Sequence, residues 1–177
     1  MEDGLDVLIA ELWSLKGKAF WQRLITISQR KEFKESEKGI YTAGNTNNPD
    51  YDNLMNAARK AIAFGFTVYI LPNPKTVSSA DFIFKYRNSY KLYELKTIQG
   101  KNSVGNRLRS SVLQSDRVVL NFTVSYNIRR LADEINRYYE TFPNVKEVLM
   151  FYRKRRISVR RVDIGHTLWK RLMKKLK

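Results

Sequence analysis

Residues 80–97, ADFIFKYRNSYKLYELKT, constrain the fold of this chain more than any other stretch. Two short apolar runs, FIF and KLYEL, flank a polar turn around Arg87-Asn88-Ser89, the pattern of a β-hairpin. Asp81 opens the first strand, and the triplet Glu94-Leu95-Lys96 closes the second. Alternate residues of a strand share a face, so Glu94 and Lys96 project together while Leu95 turns into the core. A hairpin closed around that turn sets Asp81 against Leu95 and gathers Asp81, Glu94 and Lys96 into one small site. Two carboxylates and an ammonium are costly to bury without partners, and a divalent cation with a phosphate would supply them.

The residues that are missing narrow the chemistry. There is no cysteine, which excludes disulfides, thiol nucleophiles and zinc–thiolate sites. The single histidine, His166, excludes a paired-histidine metal site; beside Gly165 at the start of the last helix it is read as structural, which sets a Ser-His-Asp triad aside. Chemistry has to come from carboxylates, Lys, Arg, Ser, Thr, Tyr or Gln. The formal net charge is +16, from 33 Lys+Arg against 17 Asp+Glu, which points to a polyanionic partner, with nucleic acid first. A basic surface without catalysis is the plainer alternative. No apolar run approaches the ~18 residues of a membrane-spanning helix, and the acidic N-terminus MEDGLDVLIAELW does not resemble a secretory signal.

The elements around the hairpin follow from periodicity. Residues 5–30 carry helical stripes (Leu8, Leu12, Leu15 and Ala19; then Phe20, Leu24 and Ile27) broken at Gly17. The run 31–38 carries both signs of charge and nothing apolar except Phe33, and the Gly/Asn/Pro-rich stretch 39–50 reads as a loop or linker. A boundary near residue 45 would separate an N-terminal helical extension (1–45) from the main α/β domain (46–177). In that domain a helix capped by Asp50 or Asp52 presents Leu54, Ala57, Ala58, Ala61 and Ile62. The strand 67–72, stopped by Pro72 and Pro74, precedes the hairpin. A helix over 103–117 carries Ser103, Arg107, Ser110, Gln114 and Arg117 on one polar face. A strand (118–123), an amphipathic helix (127–142), strands at 145–152 and 156–161 and a helix over 163–177 complete an α/β fold, an α+β mixed sheet covered by helices.

At the hairpin, two hard oxygen ligands, Asp81 and Glu94, suit Mg²⁺ or Mn²⁺, with Lys96 stabilising developing charge. The competing reading is a cross-strand salt bridge on a solvated face. The polar helix face reads either as solvated surface or as a phosphate-positioning surface. Tyr86, Tyr90, Tyr93, Tyr138 and Tyr139 read first as packing residues and second as base-stacking platforms. The basic tracts 153–156, 160–161 and 170–177 read as solvated faces or backbone contacts.

The order helix–strand–strand–strand–helix–strand, with Asp81 and Glu94-Leu95-Lys96, resembles the PD-(D/E)xK nuclease superfamily, whose core is restriction-endonuclease-like. More narrowly, ADFIF…YKLYELKT followed by a Ser/Asn-containing turn, an Arg-bearing helix and Gln114-Ser115 is similar to the C-terminal toxin domains of bacterial contact-dependent inhibition proteins. Several of these cleave tRNA, and relatives cleave DNA. The resemblance implies Asp81 and Glu94 as metal ligands and Lys96 as catalytic lysine. It also implies Thr97 and Gln114 as supporting or substrate contacts and Arg107 as a phosphate contact; Ser110 and Arg117 on the same polar face, with Lys101 in the turn before it, are read as further nucleic-acid contacts. It implies an immunity protein as partner and action in the bacterial cytoplasm after delivery as a secreted toxin domain. Many members carry an acid in the middle of the first core helix; here Asn56 stands there, and the helix's acid is Asp52 at its start. Three further readings stay open: a metal-independent toxin-type ribonuclease, a non-catalytic nucleic-acid-binding module on the same fold, and a mobile-element or phage-packaging accessory protein.

Overall fold

Helices and strands alternate along the chain, as the sequence periodicity predicts. A computed structural model describes residues 3–44, 48–73 and 79–177. The chain divides into two compact units, Met1–Tyr93 and Glu94–Lys177. The expected boundary at residue 45, and Pro74 as a strand stop, lie outside the described residues.

The first unit begins with α1 (Leu5–Ala10), a 3₁₀ turn (Glu11–Ser14) and α2 (Gly17–Ser28). Gly17 takes φ +58°, the left-handed conformation that lets the chain turn between the two helices. Leu8, Leu12, Leu24 and Ile27 join Phe33, Leu71, Ile83 and Leu92 in one buried cluster. Where no strand was expected, in the charged run and at the start of the expected loop, β1 (Lys34–Glu37) and β2 (Ile40–Thr42) form an antiparallel pair. All four residues of β1 are exposed, so no alternation of polarity marks it; it is an edge strand of charged residues, a common guard against unwanted pairing. β2 pairs in parallel with β3 (Thr67–Ile70), and α3 (Tyr51–Ala63) covers them. Ala57, Ala58 and Ala61 on α3 have no exposed surface, so their small side chains let the helix backbone approach closely.

β3 pairs antiparallel with β4 (Phe82–Tyr86), and β4 with the first half of β5 (Ser89–Ile98). The register differs by one residue from expectation: Phe82 stands against Tyr93, not Glu94, and Tyr86 against Ser89. The turn therefore holds two residues, Arg87 and Asn88, instead of three, and Arg87 adopts φ +54°. Two-residue turns with positive φ match the twist of paired strands, which explains the tighter closure.

β5 runs on into the second unit, where its last five residues pair in parallel with β6 (Arg117–Phe122). β6 pairs in parallel with β7 (Glu147–Tyr152), and β7 antiparallel with β8 (Arg155–Arg160). α4 (Val104–Ser111) and α5 (Ile128–Thr141) make the two crossovers, and α6 (Leu168–Leu176) packs on α5 and β8. Ile98, Leu108, Leu120, Ile135, Met150 and Leu172 belong to the core of this unit. Asn127 caps α5, its side chain accepting the Arg130 N–H. Among the described residues, no helix is long and apolar enough to cross a membrane.

Candidate active site

Lys96 is the centre of the charged cluster in the second unit. Its Nζ donates to Glu94 Oε1 at 2.9 Å and to Gln114 Oε1 at 3.0 Å. Strand alternation puts Glu94 and Lys96 on the same face of β5, in register with Val118 and Leu120 of β6. That face carries the core, so the pair is deeply placed: side-chain exposure is 4% for Glu94 and 13% for Lys96. Two of the three ammonium donors are thereby committed, which fixes the direction of the third.

Gln114 arrives there because α4 is shorter than its periodicity suggested. The helix ends at Ser111 instead of running to 117. Ser110 and Ser111 turn their hydroxyls back onto the carbonyls of Arg107 and Leu108, at 2.9 and 2.7 Å, bonds that compete with helix propagation. Residues 112–114 then form a turn, with Leu113 exposed and the Gln114 N–H on the Ser111 carbonyl. The expected single face of Ser103, Arg107, Ser110, Gln114 and Arg117 is therefore corrected. Ser103 is the residue preceding the helix, Arg107 and Ser110 are exposed on it, and Gln114 points to Lys96. Arg117 opens β6, where its guanidinium donates to Glu147 Oε1 at 3.2 Å.

The remaining predicted residues lie elsewhere. Thr97 follows Lys96 on the strand and so faces the opposite side of the sheet, in register with the buried Asn121. Lys101 is exposed in the turn after β5. Asp81 belongs to the first unit; its N–H donates to the Tyr93 carbonyl and its own carbonyl accepts the Leu71 N–H.

Two polar clusters went unread in the sequence. Glu147, 5% exposed, is held by Arg117 and by the Ser158 hydroxyl. Its signal was available, since Glu147 opens the apolar run EVLMFY just as Asp81 opens FIF. Tyr126 donates its hydroxyl proton to Glu134 Oε2 at 2.7 Å and accepts the Val104 N–H at 3.3 Å. Burial, reinforced by the bond to Glu134, pushes the Tyr126 phenol up to about 12. No sequence spacing announces that contact, which joins α4 and α5 through tertiary packing.

As a cation site, the cluster fits a hard metal in part. Glu94 offers carboxylate oxygen and Gln114 an amide oxygen, but the Lys96 ammonium stands between the two oxygens that a small cation would use. Among the described residues no group of three or more His, Asp or Glu side chains is placed to hold a metal.

Residues 80–157 match the contact-dependent growth inhibition CdiA C-terminal domain family. The matched segment contains the β4–β5 hairpin, Glu94, Lys96 and Gln114, and ends within β8. A solved structure, the CdiA-CT/CdiI toxin and immunity complex from Burkholderia pseudomallei, is similar at 12% identity with a TM-score of 0.42, over 66% of this chain and 89% of that one. No curated protein matches the chain.

Proposed function

We propose that this protein is an antibacterial toxin domain that hydrolyses phosphodiester bonds in nucleic acid, with RNA, and tRNA first, ahead of DNA. The observation that carries the reading is the Lys96 ammonium fixed between Glu94 and Gln114 in a largely buried position. A buried ion pair contributes little net stability compared with apolar packing, so its presence in a core face favours a chemical role. The net charge of +16 supplies attraction for a polyanion. The match of residues 80–157 to a contact-dependent growth inhibition domain supports the toxin setting.

In this reading Lys96 directs its third proton to a phosphate oxygen and stabilises the charge that builds there in the transition state. Glu94 and Gln114 hold the ammonium in that direction. Asp81 and Glu94 are the proposed ligands for Mg²⁺ or Mn²⁺, which when bound would activate water and neutralise phosphate charge. Lys101, Arg107 and Ser110 are the proposed phosphate contacts; Arg117 is instead engaged by Glu147. Thr97, on the far face of β5, has a supporting role through the sheet. The proposed partner is an immunity protein, since a cell that makes a nuclease active in bacterial cytoplasm has to block it at home.

A metal-independent ribonuclease is the second reading, and the position of the Lys96 ammonium between two oxygens favours it. One experiment addresses both. Purified protein is incubated with tRNA, total RNA and duplex DNA, in Mg²⁺ and in EDTA, beside the Lys96→Met variant. The leading reading expects Mg²⁺-dependent RNA cleavage that Lys96→Met abolishes. Full cleavage in EDTA would transfer the assignment to the metal-independent reading. Undiminished cleavage by a folded Lys96→Met protein would overturn both.

A further inference from the structure

The positive charge is distributed unevenly along the chain. Residues 94–177 hold 20 Lys+Arg against 7 Asp+Glu, a net +13, while residues 1–93 hold 13 against 10, a net +3. The second unit therefore carries most of the excess, and the fold concentrates part of it at one edge. β5, β6 and β7 run parallel, so their carboxyl ends lie together. Lys101 follows β5 there, Arg130 lies in the first turn of α5 after β6, and Arg153 and Lys154 form the tip of the β7–β8 hairpin, with Arg155 next to them. All five are exposed.

This edge is braced, not loose. Loop 123–127 links its parts: the Thr123 N–H and hydroxyl both donate to the Ile98 carbonyl, at 3.0 and 2.9 Å. The Tyr126 N–H donates to the Tyr152 hydroxyl at 3.1 Å, and the Tyr126 hydroxyl accepts the Val104 N–H. Arg153 donates to the Ser125 hydroxyl at 3.1 Å with its guanidinium over the Tyr152 ring, which holds the hairpin tip against that loop. Arg130 donates to Asn102 at 2.7 Å, holding the α5 start to the turn after β5. The acid at this edge, Glu134, is occupied by Tyr126 and Arg130. The open carboxyl end of a parallel sheet is where α/β folds bind their ligands, and here it presents fixed cations.

We propose that this edge, with Lys101, Arg130, Arg153, Lys154 and Arg155, is the surface that binds the sugar-phosphate backbone of the nucleic-acid substrate. The proposal rests on the nuclease reading above and assigns where part of the substrate's backbone is held: Gln114 precedes β6, so the Lys96 cluster reaches toward the amino end of these strands, and the bound backbone runs on to it along their length. Each phosphate contact releases counterions, so the slope of log affinity against log salt reports their number. Lys31, Lys34 and Lys38, exposed residues of the first unit on and beside the edge strand β1, provide the comparison.

The test is fluorescence anisotropy with a labelled 2′-O-methyl RNA, which resists cleavage, across a salt series and in EDTA. The hairpin variant is Arg153→Asn/Lys154→Ser/Arg155→Thr, with asparagine chosen because it tolerates the φ of +53° at position 153. The comparison variant is Lys31→Ser/Lys34→Ser/Lys38→Ser in the first unit. Loss of three contacts is expected to flatten the slope by about 2–3 and to weaken binding on the order of a hundredfold at about 0.1 M salt. The first-unit variant should lose less than about threefold, a weak screened effect. The single change Lys154→Ser, at an exposed tip, guards against misfolding and should flatten the slope by about 0.7–0.9. Unchanged affinity and slope in both hairpin variants, or an equal loss in the first-unit variant, would overturn the proposal. So would hairpin-dependent capture by phosphatidylglycerol vesicles without RNA binding. The two readings fail separately. Hairpin-dependent binding by a wild-type protein that cleaves nothing would sink the nuclease and keep the surface. Cleavage with unchanged KM in the hairpin variant would sink the surface and keep the nuclease.

Discussion

Lys96 and Gln114 are 18 residues apart in the chain, and the Lys96 ammonium donates to the Gln114 side-chain oxygen at 3.0 Å. Gln114→Ala removes that acceptor and leaves the Lys96–Glu94 bond in place. The expected cost in stability is about 1.5 kcal/mol, the low end for a hydrogen bond to a charged group, since the ammonium keeps Glu94. The expected cost in cleavage rate is larger, about a hundredfold, because a misdirected ammonium loses its alignment on the phosphate. Thermal melting beside single-turnover cleavage separates the two. A rate loss no larger than the stability loss would make Gln114 a structural residue.

Arg117 and Glu147 give the opposite expectation. Glu147 is 5% exposed, and Arg117→Met removes a charged partner from its buried carboxylate while the Ser158 hydroxyl stays. Breaking a buried pair from one side costs about 3 kcal/mol, toward the low end because Arg117 is partly solvated. Urea unfolding should show that loss, while the salt dependence of RNA binding should stay as in the wild type. A flattened salt slope in this variant would return Arg117 to the nucleic-acid surface.

The hairpin and most flanking elements were legible because each carries its own pattern: alternating strands, helical stripes, and proline or glycine at the ends. The acid-x-lysine triplet could be read because strand alternation alone fixes Glu94 and Lys96 on one face. Gln114 reads in the sequence as a helix-face residue and, through the resemblance, as a supporting contact; it meets Lys96 from the turn that follows the two serines at the end of the helix. The edge strand Lys34–Glu37 was not legible, since its stability comes from neighbours distant in sequence and all its side chains are exposed. The register of the β4–β5 pair turned on whether the turn held two residues or three, which composition does not fix.

Alkaline pH should destabilise the protein, with Tyr126 contributing. Its folded-state phenol is raised to about 12 by burial and by Glu134, above its ordinary value near 10. Below pH of about 10 both states hold the proton and the contribution is complete; as the pH climbs toward 12 the unfolded chain releases it first, and stability falls. Tyr138 and Tyr139 are shifted the same way by burial, so Tyr126→Phe should reduce the slope without abolishing it. The midpoint in urea, followed between pH 8 and 12, tests this; an identical slope in wild type and Tyr126→Phe would refute it.

Gly39 probes the unexpected β1–β2 pair. It adopts φ +80°, and a Cβ built there would stand 2.9 Å from Ile62 Cδ1. Gly39→Ala should therefore lower stability by about 1–3 kcal/mol from the left-handed backbone, with the contact adding to it. If residues 34–42 were instead an unstructured loop, the substitution would leave the melting temperature unchanged.

The alanine face of α3 sets a rule for how this chain can diverge. Ala57, Ala58 and Ala61 are fully enclosed, so what those positions conserve is volume, not polarity or propensity. Glycine or serine there keeps the helix-to-sheet spacing; valine or leucine would push it apart, at about 1–3 kcal/mol for each overpacked site. Chains of this architecture that enlarge one of those side chains will need a smaller residue facing it on β2 or β3, so paired size changes, not single ones, should mark the evolutionary path of this layer.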